Sequence, residues 1–317
     1  MAALEGDLLL LGVGGKMGPS LARLARRASA QAGVSRQIIG VSRFQSPGLA
    51  HELERAGVET ISCDLLEPES IRALPEAPNV IFMAGRKFGS IGQEWLTWAM
   101  NTLLPAMVAE RFPNSRIVAF STGNVYPLTR LNEGGPSETH PTGPVGEYAQ
   151  SCLGRERMFE YYSEKYGTPV ALLRLNYAID LRYGVLRDVA EKVRAGVPID
   201  LGMGMVNVIW QRDANSVALR ALAHCQSPPL VVNVTGPEMI SIRWLAGRFA
   251  EILGREPVFS GAEAETALLS NAARCHAMFG RPETTLDQMI AWVAHWVAIG
   301  GGSLGKPTHY EQRDGKF

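Results

Sequence analysis

Leu8-Leu9-Leu10-Leu11-Gly12-Val13-Gly14-Gly15-Lys16-Met17-Gly18 is an apolar run that stops abruptly in glycines, and Leu21, Leu24, Ala25 and Ala28 follow it at helical spacing. The stretch predicts a buried strand, a tight turn and an amphipathic helix. Glycines at 12, 15 and 18, with a further one at 14, let a backbone turn sharply, approach a pyrophosphate closely and pack helix against strand. The free N–H groups of the helix then face the phosphates. Pro19, just inside the helix, lacks only an N–H that has no intrahelical partner. Gly12, Gly14, Gly15, Lys16, Met17 and Gly18 are therefore expected to cradle a dinucleotide.

The next apolar run, Gln37 to Arg43, ends in polar residues, as a parallel strand does at its carboxyl edge. An acidic side chain there selects the ribose hydroxyl of NAD; Ser42 and Arg43 stand instead, which favours NADP, with NAD as the alternative. Ser46-Pro47 is expected to cap a helix through Leu49 and Leu53, closed by Gly57. A third strand, 58–61, leads to Asp64 and Leu65 beside the adenine. A fourth, from Asn79, ends in the small or flexible residues Met83, Ala84 and Gly85 where a cofactor approaches. Arg86 and Lys87 follow, with Lys87 a candidate for an anionic substrate. Residues 93–112 predict a long helix carrying Trp95, Trp98, Leu103 and Met107, bent at Pro105. Arg116 to Ser121 is a fifth strand and Val170 to Leu175 a sixth, so strand and helix alternate throughout, which defines a Rossmann-type doubly wound parallel α/β sheet.

Residues 127–147 are rich in Pro, Gly, Thr and Glu, and are expected to form a functional or mobile loop over the carboxyl ends of the strands. Beyond the helix 146–166 and the sixth strand, the pattern predicts helices over 185–195 and over 214–224 with Asp213 as N-cap, and a strand over 206–210. A strand over 230–234 and helices over 241–253 and 285–298 complete it. In the last helix Met289, Trp292, Val293 and Trp296 share a face expected to be core. The polar tail from Gly300 is expected to be extended and partly mobile.

Lys plus Arg and Asp plus Glu each number 31 in a chain of 317 residues, so no net field holds nucleic acid or an anionic membrane. The N-terminal apolar run is too short for a signal peptide or a membrane span, and the expected setting is the cytoplasm. The four cysteines, at 63, 152, 225 and 275, lack zinc-like spacing, and no metal is assigned.

Taken together, several motifs resemble the extended short-chain dehydrogenase/reductases of the NAD-dependent epimerase/dehydratase superfamily. They are Gly12-x-x-Gly15-x-x-Gly18, Asp64-Leu65, Asn101, Ser121-Thr122-Gly123-Asn124-Val125-Tyr126-Pro127, Ser137 to Pro141, Tyr148 with Ser151, Arg174-Leu175-Asn176, and Asn233 to Gly236. The resemblance spans most of the chain. It implies a dinucleotide-binding domain, 1–175 with 212–237 returning to it, and a smaller α/β substrate domain from the rest of 176–317. It also implies a catalytic Tyr148 with Ser121 or Thr122, cofactor contacts from Asn101 and Asn176, and substrate contacts from Asn124, Tyr177, Arg182 and Arg187. The family commonly pairs as a homodimer across the 93–112 and Tyr148 helices.

One residue departs from the pattern. The family carries a lysine four residues after the tyrosine, on the same helical face; here Tyr148-Ala149-Gln150-Ser151-Cys152 carries a cysteine. Bringing a phenol from about 10 to near 7 takes ~4 kcal/mol, and one cation at ~4 Å in an effective dielectric of ~20 supplies about that. A neutral thiol supplies none of it. Three readings stay open: an oxidoreductase with a substitute cation from Lys87, Arg155 or the oxidised nicotinamide; a reductase in which Tyr148 donates a proton; or a non-catalytic NADP-binding sensor or scaffold. Epimerase or dehydratase chemistry on a nucleotide sugar is the competing enzyme class.

Overall fold

The structure is a computed structural model that describes residues 1–89, 91–306 and 308–316. Seven strands form one sheet: β1 (Leu8–Leu11), β2 (Ile38–Ser42), β3 (Glu59–Ser62), β4 (Asn79–Phe82), β5 (Arg116–Thr122), β6 (Val170–Leu175) and β7 (Leu230–Val234). Their spatial order is β7-β6-β5-β4-β1-β2-β3, and every neighbouring pair is parallel. The chain leaves β1 toward one edge and returns to place β4 on its other side. The crevice at that reversal, beyond the carboxyl ends of β1 and β4, is where such sheets bind ligands.

The leucine run of β1 is buried on both faces, as a central parallel strand must be. Leu8 and Leu10 join one apolar core with helix α1 (Gly18–Gln31), and Leu9 and Leu11 join the other, so alternate residues serve opposite layers. Helices α2 (Leu49–Arg55) and α3 (Pro68–Arg72) connect the next strands. Helix α2 starts later than Ser46-Pro47 suggested, because Gly48, at φ +77°, makes the turn into it.

The expected 93–112 helix is divided into α4 (Glu94–Trp98), a wide turn (Ala99–Leu103) in which Leu104 N–H bonds the Ala99 carbonyl, and α5 (Leu104–Arg111). Pro105 therefore falls in a first turn, where its missing N–H does no harm. Helix α6 (Gly146–Tyr166) packs beside this segment.

After β6 come α7 (Val185–Ala195), α8 (Gln211–Ala221), α9 (Ile242–Leu253), α10 (Ala273–Phe279) and α11 (Leu286–Ala298). Helix α8 begins at Gln211 rather than Ala214, and Asp213 is not its N-cap: its carboxylate accepts Thr284 N–H at 3.1 Å. The expected 206–210 strand is two pieces. Met205–Val206 pairs antiparallel with Ile240–Ser241, and Ile209–Trp210 pairs parallel with Ala178–Ile179. A further apolar core joins α7, α9 and α11, with Leu186, Val189, Ile242, Leu245, Phe249, Ile290 and Val293 inside it. Met289 and Val293 are core, but Trp292 is 43% exposed and makes an edge contact with Trp210.

The tail is docked rather than loose. Tyr310 is 1% exposed within the α7–α9–α11 core. Thr308 gives both its N–H (2.9 Å) and its hydroxyl (2.5 Å) to the Asp188 carboxylate. Arg313 donates to the carbonyls of Gly202 (2.9 Å) and Thr266 (2.8 Å). Polar composition hid these anchors, because each rests on one residue making long-range contacts that leave no local pattern.

Candidate active site

A cleft opens where the glycine loop, the end of β4, the end of β5, the start of α6, residues 175–184 and the tail converge. In the loop, packing explains three glycines. A Cβ on Gly12 (φ +92°) would stand 2.6 Å from Ala84 N, one on Gly14 2.3 Å from Ser42 Oγ, and one on Gly18 2.1 Å from the Val13 carbonyl. A Cβ on Gly15 would meet only the Gly12 carbonyl at 3.4 Å and would otherwise project into the cleft. Helix α1 has no side-chain cap, so its first N–H groups remain available. A glycine cradle and an uncapped helix N-terminus fit the diphosphate of a dinucleotide. Ser20 Oγ, in the first turn, accepts from Gln211 (2.8 Å) and Asn215 (2.9 Å), which fixes the helix entry.

Met83 and Gly85 line the cleft, while Ala84 and Leu65 are buried beside it. Arg43 pairs with Asp64 at 3.5 Å, both half exposed, so the basic and acidic candidates for the adenosine end hold one another. Asn101 does not line the cleft. It accepts Arg86 N–H (2.9 Å) and Arg155 (2.8 Å), and donates to the Arg86 carbonyl (2.8 Å) and Ser151 Oγ (3.0 Å). Its task is to shape the loop after β4.

The two candidate hydroxyls separate clearly. Ser121 Oγ donates to Glu156 at 2.5 Å, inside a buried network in which Arg174 grips Glu156 (2.7 Å) and Tyr126 (2.7 Å), and Tyr126 donates to Asn233 (2.9 Å). Thr122 lines the cleft and hydrogen-bonds the Tyr148 phenol. Asn124 is held against Thr122, donating its N–H at 3.2 Å and accepting the hydroxyl at 3.0 Å. Tyr148 also contacts the Cys152 sulfur, and burial pushes the phenol above its ordinary value, with the Arg155 guanidinium and the Thr122 hydrogen bond pulling the other way. Burial raises the Cys152 thiol likewise, so both groups stay neutral and protonated.

Arg155 is not a surface residue. It lies buried below the cleft, donating to the Phe120 carbonyl (2.7 Å) and Asn101 (2.8 Å). Lys87 does line the cleft. Its Nζ lies 5.8 Å from the Tyr148 ring centre and donates to the Thr308 carbonyl at 3.3 Å. Desolvation, partly offset by Cys152 and Asp188, lowers its pKa to about 8. Lys16 reaches across from the glycine loop to the Ala178 carbonyl (2.5 Å), over the Tyr183 ring (4.3 Å), and burial lowers it to about 8 as well.

Asn176 and Tyr177 line the far wall; Asn176 donates to Asn207 at 2.9 Å, and Tyr177 holds a positive φ of 42°. Arg182 lines the rim, paired with Asp180 at 3.1 Å. Arg187 points elsewhere: it donates to the carbonyls of Leu181 (2.8 Å), Gly302 (3.0 Å) and Gly301 (3.1 Å) and anchors the tail. Among the described residues, none between 127 and 147 lines the cleft. That segment is tied down instead, Glu138 accepting Asn233 N–H at 2.8 Å. The walls that the sequence did not indicate include Phe88, Tyr183, Leu304, Lys306 and Thr308. Tyr310, an aromatic in a polar tail, was the available sign that the tail is anchored.

A glycine cradle at the switch point of a parallel sheet, facing a threonine and a tyrosine, defines a Rossmann-type protein of the extended short-chain dehydrogenase/reductase class. The chain belongs to the NAD dependent epimerase/dehydratase family, whose model matches residues 8–234. Its fold is similar to that of a mutant of UDP-glucuronic acid 4-epimerase from Bacillus cereus in complex with UDP-4-deoxy-4-fluoro-glucuronic acid and NAD (TM-score 0.76, 17% identity, 93% of this chain and 99% of that one). It is similar also to UDP-glucose 4-epimerase from Thermotoga maritima with UDP-glucose (0.75, 16%, 93% and 99%). The Thermus thermophilus UDP-glucose 4-epimerase complex with NAD gives 0.73 and 20%, over 91% and 98% of the two chains. No curated protein is significantly similar in sequence. No helix among the described residues is long and apolar enough to cross a membrane.

Proposed function

We propose that the protein is an NAD(P)-dependent oxidoreductase that reduces a carbonyl on a small, anionic or sugar-like substrate, with Tyr148 as proton donor. The observation that carries this reading is the Thr122–Tyr148 pair, with a phenol that its burial keeps protonated. A group that must begin as a base is poorly served by that environment; a general acid is well served. The cradle residues Gly12, Gly14, Gly15, Lys16, Met17 and Gly18 would hold the dinucleotide, which supplies or accepts hydride when bound. Thr122 orients the carbonyl oxygen, Tyr148 gives it a proton, and Asn124 fixes the threonine. Lys16, Lys87, Arg182 and Lys306 give the cleft its cationic walls, which suit a substrate carrying carboxylate or phosphate. Arg43 favours NADP. Asp64, beside it, is the residue through which NAD would be accommodated.

The second reading is a nucleotide-sugar epimerase, favoured by the UDP-sugar 4-epimerases among the structural neighbours. Incubation with NADPH or NADH and a panel of quinones, keto acids and keto sugars, followed by absorbance, tests the first reading. Product from UDP-hexoses with catalytic NAD and no net hydride transfer would replace it with the second. Inactivity in both assays, with dinucleotide still bound, would replace both with a sensor.

A further inference from the structure

The lysine that α6 lacks leaves a specific deficit: when Tyr148 gives up its proton, a phenolate forms in a desolvated cleft beside a neutral thiol. We propose that Lys87, reaching in from the loop after β4 and moored by the C-terminal tail, is the cation and proton source that serves Tyr148. This role rests on the reductase reading above.

Three observations converge on it. Lys87 is on the cleft wall with its Nζ facing the Tyr148 ring, and its charge is felt by Cys152, the residue at the vacated position. Its placement is specified from a distance: Asp188 on α7 accepts both donors of Thr308, and the Thr308 carbonyl then accepts from Lys87. Arg155, whose charge favours the Tyr148 phenolate and the Cys152 thiolate from below, is committed to the Phe120 carbonyl and Asn101 and does not line the cleft. A guanidinium, moreover, holds its protons, whereas a desolvated ammonium releases one near neutrality.

The step balances as follows. A bound reduced dinucleotide would supply hydride to the carbonyl carbon, and the Tyr148 hydroxyl proton goes to the carbonyl oxygen, giving the alcohol. The Lys87 ammonium passes a proton to the phenolate, and the resulting amine regains one from solvent. Lys87 is thus a positioning and proton-supplying residue, active while charged. Besides Tyr148 and Cys152 on α6, the titratable groups around it among the described residues include Asp188 on α7, Lys16 of the glycine loop, Lys306 on the same cleft wall, and His309 against the adjacent Phe88.

Carbon-13 NMR of the lysine ε positions in the full chain, with Lys87→Arg for assignment, tests the placement. The Lys87 midpoint is expected near 8. Cys152→Lys, which sets a second cation beside it, should lower that midpoint by about one unit or more. An ordinary lysine midpoint that Cys152→Lys does not move overturns the proposal.

The second arm uses NADPH or NADH with phenanthrenequinone. Wild type should slow as pH rises through about 8. Lys87→Met should lose about tenfold or more in turnover, with dinucleotide Kd unchanged within about twofold. Lys87→Arg, whose guanidinium holds its protons, should be slow with no alkaline fall, and Lys87→Met with Cys152→Lys should recover most of the rate, which a folding defect would not permit. Turnover unaffected by Lys87→Met overturns this role and leaves the reductase reading standing. A wild type that turns over no carbonyl removes the reductase reading itself, and this role with it.

Discussion

The Thr308 carbonyl accepts a hydrogen bond from Lys87 Nζ at 3.3 Å, although 221 positions separate the two residues. The loop after β4 is thereby held by the end of the chain, and the same tail places Leu304, Lys306 and Thr308 on the cleft wall. Asp188 carries the anchor. Burial raises its carboxyl above the usual range, and the two Thr308 donors pull the other way. Asp188→Ala should free residues 304–316 to proteolysis while leaving the sheet intact. Equal tail cleavage in wild type and variant, followed by mass spectrometry, would show that other contacts suffice.

Tyr148→Phe removes one oxygen and leaves the ring packed. Under the reductase reading, turnover should fall about 10²-fold or more, the scale for loss of a general acid, with dinucleotide affinity nearly unchanged. Ser121→Ala should behave differently. It removes a donor to the buried Glu156 carboxylate, so the expected effect is on thermal stability, by about 1–3 kcal/mol, more than on the chemical step. A large turnover loss in Ser121→Ala at unchanged stability would reverse the roles assigned to the two hydroxyls.

Lys16 makes stability depend on pH. Its native pKa, about 8, lies below that of an exposed lysine because burial disfavours its charge. Between that value and about 10.4 the unfolded chain binds more protons than the native one, so stability rises with pH across this window. Below pH 8 the cost of the buried charge is present in full. Lys16→Met should therefore stabilise the protein at pH 7 by about 1 kcal/mol, allowing for solvent screening and the lost bond to Ala178, and the gain should vanish toward pH 10. A variant that is destabilised at every pH would contradict this. Denaturant melts at both pH values measure it.

The sheet and the glycine loop were legible because their signals are local: an apolar run, a glycine spacing, an alternation of strand and helix; Tyr148 was singled out by the family resemblance alone, and it does line the cleft. The division of labour between Ser121 and Thr122 was not, since a motif names both hydroxyls and only the position of Glu156 on α6 distinguishes them. Arg187 looked like an anion site because it is an arginine in the substrate segment; three backbone carbonyls of the 181 and 301–302 turns claim it instead. The tail was misread for a general reason. Anchoring by one tyrosine, one threonine and one arginine leaves no periodic pattern, so its composition resembles that of a free terminus. The loop 127–147 was misread in the opposite sense: its length suggested a binding role, while hydrogen bonds such as Glu138 to Asn233 hold it away from the cleft.

Cofactor choice rests on one ion pair. Arg43 and Asp64 lie 3.5 Å apart just beyond β2 and β3, both accessible, where the sequence reading expects the adenosine. A 2′-phosphate would compete with Asp64 for the guanidinium, whereas a ribose hydroxyl would leave the pair in place. NADPH should therefore bind more tightly than NADH at low salt, and Arg43→Ala should abolish the difference. Asp64→Ala should widen it by freeing the arginine. Fluorescence titration with both nucleotides decides the matter, and equal affinities in wild type would remove the case for NADP.

Association is the last expectation, and it follows from what α4 and the turn after it leave uncovered. Trp95 is 70% exposed, Leu103 56% and Trp98 37%, with Tyr161 of the neighbouring α6 at 55%. Large apolar side chains this exposed, on two packed helical segments, are more than isolated surface residues. The surface suits a second copy of the same chain, because two-fold pairing sets each patch against its own equivalent and needs no other partner. Sedimentation at micromolar concentration should give a dimer, and Trp95→Glu with Leu103→Glu should give a folded monomer, since both side chains already face solvent and support no core. A wild-type monomer under those conditions would exclude self-association through this face. A dimer that survives both charges would move the interface elsewhere.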